Sequence, residues 1–197
     1  MIRLFVALRP PRTIRDALID RMTGVAGARW QDDEQLHITT RFIGEVDAHQ
    51  ADDIVAALGS VQAPAPRVAL NGVGTFGRPG RIESLWAGLS PHPPLAALHR
   101  KVDQALVAAG IPRDRRAYLP HVTLARVPRA IGGMMADSPA FRAWLAHHAG
   151  LASPVFSVTH LTLYESHLEH DGATYEPVAR WPLAPAVGTP DALTGSP

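Results

Sequence analysis

Two short apolar stretches constrain this chain more than anything else in it. Leu36-His37-Ile38-Thr39-Thr40-Arg41-Phe42 and Pro120-His121-Val122-Thr123-Leu124-Ala125-Arg126 each hold a histidine and a threonine two positions apart in a strand-like pattern. Side chains of an extended strand alternate between faces, so His37 and Thr39 share one face and His121 and Thr123 share another. Ile38 and Val122 then point the opposite way, into a packing layer. Read singly, each stretch is also what a satisfied histidine in a strand looks like. Read together, they suggest two lobes of like construction that bring both His-x-Thr faces to one cleft.

The chemistry of such a cleft follows from its residue types. Two imidazoles near pKa 6.5 can divide acid and base work at neutral pH, one protonated and one free. Two threonine hydroxyls can donate to phosphate oxygens, and Arg126, further along the second strand, offers a planar fork to clamp one. This is equipment for in-line displacement at a phosphodiester, where developing negative charge needs fixed donors. No metal and no cofactor is expected.

The rest of the pattern predicts an α+β fold with largely antiparallel sheet and helices outside. Strands are expected at Ile2–Leu8, Leu36–Phe42 (ending at Gly44), Arg67–Leu70, Leu85–Leu89, Leu119–Val127 and Val155–Tyr164. Ala173–Trp181 follows as a hairpin partner after Asp171-Gly172. Helices are expected over Thr13–Met22 with Thr13 as N-cap, over Ala48–Leu58, over Pro94–Ala109 and over Phe141–His148. Trp30 to Glu34 reads as a polar connection, and Asn71-Gly72-Val73-Gly74 as a turn. Residues 1–183 form one bilobal unit, and 184–197, rich in Pro, Gly, Ala, Ser and Thr, read as a disordered tail.

Composition removes several function classes. Cysteine is absent, which excludes disulfides, thiolate zinc sites and a cysteine nucleophile. No apolar run approaches the roughly 20 residues that span a bilayer, and the N-terminus lacks a signal-peptide core, so a cytoplasmic protein without membrane contact is expected. A net charge of +1 is not that of a protein that coats nucleic acid. Lys101 is the sole lysine, and the abundance of arginine beside Ala, Pro and Gly reads as composition bias. The glycines at 72, 74, 77 and 80 do not lead a strand into a helix, so no dinucleotide or P-loop fingerprint is read. His147, His148, His160, His167 and His170 read as surface histidines rather than metal ligands.

Beyond these readings, the sequence resembles the two-histidine phosphoesterases, and within them the RNA 2',3'-cyclic phosphodiesterases, also named 2'-5' RNA ligases. The resemblance runs through Arg3-Leu4-Phe5-Val6-Ala7-Leu8, the first His-x-Thr stretch to Val46, Gly74-Thr75-Phe76-Gly77 and Leu85-Trp86-Ala87-Gly88-Leu89. It continues through the second stretch, Leu163-Tyr164-Glu165-Ser166-His167-Leu168, and Gly172–Tyr175 leading to Trp181-Pro182-Leu183. It implies two pseudo-symmetric lobes whose His-x-Thr strands line a central cleft. It implies that His37, Thr39, His121 and Thr123 form a catalytic tetrad, that Arg126 contacts phosphate, and that Phe42 lies beside the nucleotide. Tyr118 matches an aromatic position whose expected role is packing.

The activity implied is metal-independent opening of a 2',3'-cyclic phosphate, on an RNA end or a cyclic nucleotide, to a 2'-phosphomonoester. His121 would draw the proton from water and His37 would protonate the departing oxygen. ATP-independent 2'-5' ligation by the same residues is one alternative, and a non-catalytic RNA-end-binding module is another. No obligate protein partner is implied.

Overall fold

The apolar run at the N-terminus becomes strand β1 (Ile2–Leu8), and its alternation sets the layers of the molecule. Leu4, Val6 and Leu8 enter the main core, whereas Phe5 and Ala7 face the other way into a small cluster with Tyr164 and Tyr175. The structure is a computed structural model that describes residues 1–169 and 172–185. Eight further strands join β1: β2 (Arg29–Trp30), β3 (Ile38–Val46), β4 (Arg67–Arg78), β5 (Arg81–Ser90), β6 (His121–Arg126), β7 (Phe156–Ser157), β8 (His160–Glu169) and β9 (Gly172–Pro182). Their order is β7-β4-β5-β6-β3-β1-β8-β9, with β2 attached to β6, and all pairings are antiparallel.

The two innermost strands, β6 and β3, meet at one pair, Ile38 opposite Val122. Four strands run outward from each side of that junction, β6-β5-β4-β7 and β3-β1-β8-β9. The result is the two-lobed α+β arrangement with a His-x-Thr strand innermost in each lobe. Among the described residues five helices pack on it: α1 (Arg12–Ile19), α2 (Ala48–Gly59), α3 (His92–Ala108), α4 (Gly132–Asp137) and α5 (Pro139–His148). The stripe Leu95, Leu98, Val102 and Leu106 of α3 is buried against β3 and β4. Each such side chain contributes about 1.5–3 kcal/mol by leaving water. Among the described residues no helix is long and apolar enough to cross a membrane.

Several local expectations are corrected. Helix α1 begins at Arg12 behind Pro11 and stops at Ile19, so Thr13 lies inside the first turn and caps nothing. Arg29–Trp30 is a strand rather than part of a loop, and Asp32 and Gln35 cap each other around a 3₁₀ turn at Asp33–Gln35. The glycine-rich segment is no turn: β4 runs through it with a register shift between Leu70 and Val73. A Cβ on Gly74 would lie 2.3 Å from Trp86 Cζ2, and one on Gly77 would lie 2.1 Å from the Arg81 carbonyl oxygen. Those glycines make room rather than bend the chain.

The expected strand over Val155–Tyr164 is two strands in different lobes. β7 pairs with β4 and β8 with β1, because the chain crosses between lobes at Val158 and Thr159. Leu183 is buried, and Ala184 exchanges backbone hydrogen bonds with Ala63 and Ala65, so ordered chain extends past the expected boundary. The remainder of the expected tail, 186–197, and the turn residue Asp171 lie outside the described residues.

Candidate active site

The site grows from the Ile38–Val122 pair. Continuing that antiparallel register puts His37 across from Thr123 and Thr39 across from His121, on the face opposite the fully buried Ile38 and Val122. Directly opposed residues in such a pair have Cβ atoms about 4.5–5.5 Å apart.

Each strand then breaks its own alternation at the same place. In β3, Ala7 pairs with Thr39 and Val6 with Arg41, so Thr40 is skipped. In β6, Trp86 pairs with Thr123 and Leu85 with Ala125, so Leu124 is skipped. A bulge re-aims the side chains that follow it. Strict alternation would set Arg41 and Ala125 beside the histidines and hide Phe42 and Arg126. Instead Arg41 and Ala125 are buried, and Phe42 and Arg126 stand in the cleft. Arg41 is compensated in the interior: its Nε donates to Asp103 Oδ1 at 3.0 Å and its guanidinium donates to the carbonyls of Phe42 and Pro112.

The two histidines are pinned alike. His37 Nδ1 lies 2.7 Å from the Gln35 carbonyl oxygen, and His121 Nδ1 lies 2.7 Å from that of Leu119. A carbonyl only accepts, so Nδ1 carries the proton and Nε2 is left for the cleft. Both rings rest on aromatic floors. His37 sits 5.0 Å from the Phe5 ring and edge-on to Tyr175 at 5.2 Å, and His121 sits edge-on to Phe76 at 4.8 Å with Trp86 at 6.3 Å.

Burial among these rings lowers both histidine pKa values. His37 is pushed down to about 4 by desolvation, with the charges of Arg126 and His121 adding to it and the Gln35 hydrogen bond opposing. His121 is lowered by desolvation first and Arg126 second, against its bond to Leu119. At neutral pH the unliganded site therefore holds two neutral imidazoles.

Two cavities adjoin the junction and share Phe42 and Arg116. The larger, about 600 Å³, is lined by His37, Phe42 and Arg126 and also by Arg3, Arg29, Arg116, Trp30 and Tyr175, with no carboxylate in its lining among the described residues. The smaller, about 190 Å³, is lined by Thr39, Phe42, Phe76, Tyr118 and His121. Thr123 lines neither; it sits beside Trp86 in the β5–β6 ladder. The Arg116 guanidinium donates to both oxygens of Asp114, at 3.0 and 2.8 Å, and holds that carboxyl well below the usual range.

None of Arg3, Arg29, Arg116, Trp30, Phe76, Trp86 and Tyr175 is among the site residues expected from sequence, although Arg3, Phe76, Trp86 and Tyr175 lie in segments that carry the resemblance. For Phe76 and Trp86 a signal existed, since Gly74 and Gly77 bracket Phe76 where only a bare backbone admits the Trp86 ring and the Arg81 carbonyl. Arg29 and Arg116 carried none, being hidden in an arginine-rich composition, and Arg3 showed only as part of the Arg3–Leu8 run of the resemblance. Tyr118 packs as expected, its ring stacked on His99 at 4.3 Å, and burial pushes its hydroxyl pKa up. His147 and His148 pack on each other, with His148 against Trp144, and His167 lies near Glu165 and Glu176. Among the described residues no group of three potential metal ligands forms; His170 lies outside them.

Comparison with known proteins follows the same strands. The sequence model of the 2'-5' RNA ligase superfamily matches residues 10–170, which include both His-x-Thr strands. A protein of Geobacillus stearothermophilus named RNA 2',3'-cyclic phosphodiesterase is 33% identical over 184 residues, covering 90% of this chain and 55% of that one. One of the same name from Methanocaldococcus jannaschii is 27% identical over 182 residues, covering 91% of this chain and 100% of its own length. In structure, the protein TT0787 of Thermus thermophilus superposes with a TM-score of 0.73 at 24% identity, over 93% of this chain and 99% of that one. With its paired strands and helices inside that match, the chain belongs to the 2'-5' RNA ligase superfamily.

Proposed function

We propose that this protein hydrolyses 2',3'-cyclic phosphates at RNA or nucleotide ends, leaving a 2'-phosphomonoester, by paired-histidine acid–base catalysis. The observation that supports it most is the pair of Nδ1-anchored imidazoles on either side of the Ile38–Val122 junction, with Arg126 turned toward them by the Leu124 bulge. Relatives named RNA 2',3'-cyclic phosphodiesterase supply the substrate. The working compartment in this reading is the cytoplasm, and no protein partner is required.

In the reaction, His121 Nε2 accepts a proton from water as its oxygen attacks phosphorus. The P–O3' bond breaks on the far side, and the 3' oxygen takes its proton from His37 Nε2. Thr39, Thr123 and Arg126 hold the phosphate oxygens as charge gathers there. Phe42, exposed in the cleft, offers a face to the nucleotide. Holding the ribose between the two histidines decides which ester oxygen leaves. Because both imidazoles are neutral in the empty site, the anionic substrate brings the counter-charge that lets His37 take up its proton. In ligation, a ribose hydroxyl would replace water at His121; the excess of water and the strain of the ring favour hydrolysis.

The test is to incubate purified protein with a 2',3'-cyclic nucleotide and with a cyclic-phosphate-ended RNA, with and without EDTA. Products are compared by phosphorus NMR with 2'- and 3'-phosphate standards. The expected result is chelator-resistant formation of the 2'-phosphate, with His37→Ala and His121→Ala each lowering kcat by roughly 10²–10⁴. A folded His121→Ala protein with the wild-type rate would refute the assignment, and a 3'-phosphate product would reverse the proposed orientation.

A further inference from the structure

Arg29 lies directly across from Arg126 in the β2–β6 ladder. Like charges opposed in an antiparallel pair repel, and a local rule broken without a compensating partner marks a functional position. Neither arginine forms an ion pair among the described residues, and nor does Arg3, which lines the same cavity. Glu45 sits opposite Arg3 in the β1–β3 ladder yet does not pair with it. The fourth arginine, Arg116, is already committed to Asp114. Arg29 is solvent-exposed, but the short strand that carries it is held in place. Its neighbour Trp30 anchors β2 against Trp144, with ring centroids 5.7 Å apart.

Arg29 stands on β2, outside the β3–β6 junction beside which the two histidines sit. Arg29 is level with Arg126, which is three ladder positions from Val122 with the Leu124 bulge discounted, or roughly 10 Å along β6 at about 3.3 Å per position. A phosphate between His37 and His121 is served by Arg126, leaving Arg29 and Arg3 facing a cavity of about 600 Å³ with no carboxylate among its described lining residues. That volume falls within the range for ligands much larger than one phosphate. Trp30, Tyr175 and Phe42 provide ring faces in the same lining.

We infer that Arg29 and Arg3 form a second phosphate subsite, for the phosphodiester immediately 5' to the terminal nucleotide of an RNA chain. The inference rests on the proposed function and narrows its substrate to oligonucleotide ends in preference to free cyclic nucleotides. The arginine forks bind the non-bridging oxygens of that phosphodiester and take no part in bond breaking.

The test compares kcat/KM for a 2',3'-cyclic mononucleotide and for an RNA trimer ending in the same cyclic phosphate, over a range of salt. Wild type, Arg29→Ala, Arg29→Gln and Arg3→Ala are compared. Wild type should prefer the trimer, and each variant should lose roughly tenfold on the trimer, as for a charge-assisted hydrogen bond. The mononucleotide rate should stay within about twofold, which also shows that the variants are folded. For each lost contact, the trimer's log–log salt dependence should become shallower by about 0.7. Equal losses on both substrates, or none on the trimer, would overturn the subsite. If wild-type protein turned over neither substrate, the proposed function would fall. Calorimetric titration with a 2'-phosphate-ended trimer would then decide the subsite: roughly tenfold weaker binding by the arginine variants supports it, and unchanged binding overturns it.

Discussion

Binding a phosphate should change the protonation of His37 far more than pH alone can near neutrality. In the unliganded protein its pKa is about 4. Protonating it at pH 7 then costs about 4 kcal/mol, at 1.36 kcal/mol per pH unit. A single negative charge about 4 Å away, at an effective dielectric near 20, supplies about 4 kcal/mol. The two figures match, so an anion at the His37–His121 junction should bring His37 close to half protonation at neutral pH. The measurement is a pH titration of the ring resonances with 13C-labelled histidine, with and without a saturating 2'-nucleotide. The expected midpoint is near 4 in the free protein and at least two pH units higher in the complex. Because His37 and His121 interact, the two midpoints belong to the pair, and His37→Gln and His121→Gln variants assign them. A midpoint near 6.5 in the free protein, or one that the nucleotide leaves unmoved, would refute both the desolvation argument and the proton supply built on it.

The same depression makes a stability prediction. The folded pKa lies below the unfolded value near 6.5, so the unfolded chain binds more protons between pH 4 and 6.5, and stability is lost as pH falls through that window. The loss attributable to His37 is at most about 3 kcal/mol. Urea unfolding of wild type and His37→Gln should show the variant with the flatter pH dependence; identical slopes would count against it. Gly74→Ala should displace the Trp86 ring that meets its Cβ position and, through Phe76 and Trp86, disturb His121. The expected cost is about 1–3 kcal/mol in urea unfolding, together with a fall in kcat. Wild-type values for both would show that the indole yields freely.

What could be read from the sequence was whatever one strand or helix determines by itself. The alternation in Ile2–Leu8 and the leucine stripe of α3 each state their own period, and the shared faces of His37 with Thr39 and of His121 with Thr123 follow from strand geometry. What could not be read depends on the neighbouring strand. The bulges at Thr40 and Leu124 arise from pairing with β1 and β5, and nothing local in Thr40-Arg41-Phe42 signals that the arginine turns inward to Asp103. Arg29–Trp30 is too short to show a period, and it is a strand because β6 offers it an edge. The glycines of β4 look like turn residues until the Trp86 ring appears across the ladder. The break at Val158 and Thr159 reflects a crossing between lobes, which an alternating pattern running through it conceals.

The two bulges give both lobes one frame and different tools. Counting from each histidine, the residue turned back into the cleft is Phe42 in β3 and Arg126 in β6. An aromatic ring and a guanidinium thus hold matching places about the Ile38–Val122 junction, so a symmetric scaffold presents an asymmetric surface. In the proposed reaction, a cyclic phosphate would enter in the one orientation that brings its charge to Arg126 and its nucleotide to Phe42. The histidines differ in the same sense. Both are lowered by burial, but His37 also feels the charge of His121 besides that of Arg126. In the proposed reaction the empty site stays neutral, and the acid is made only when the substrate's own charge arrives. The fold supplies the symmetry, and the residues after the two bulges give the chemistry its direction.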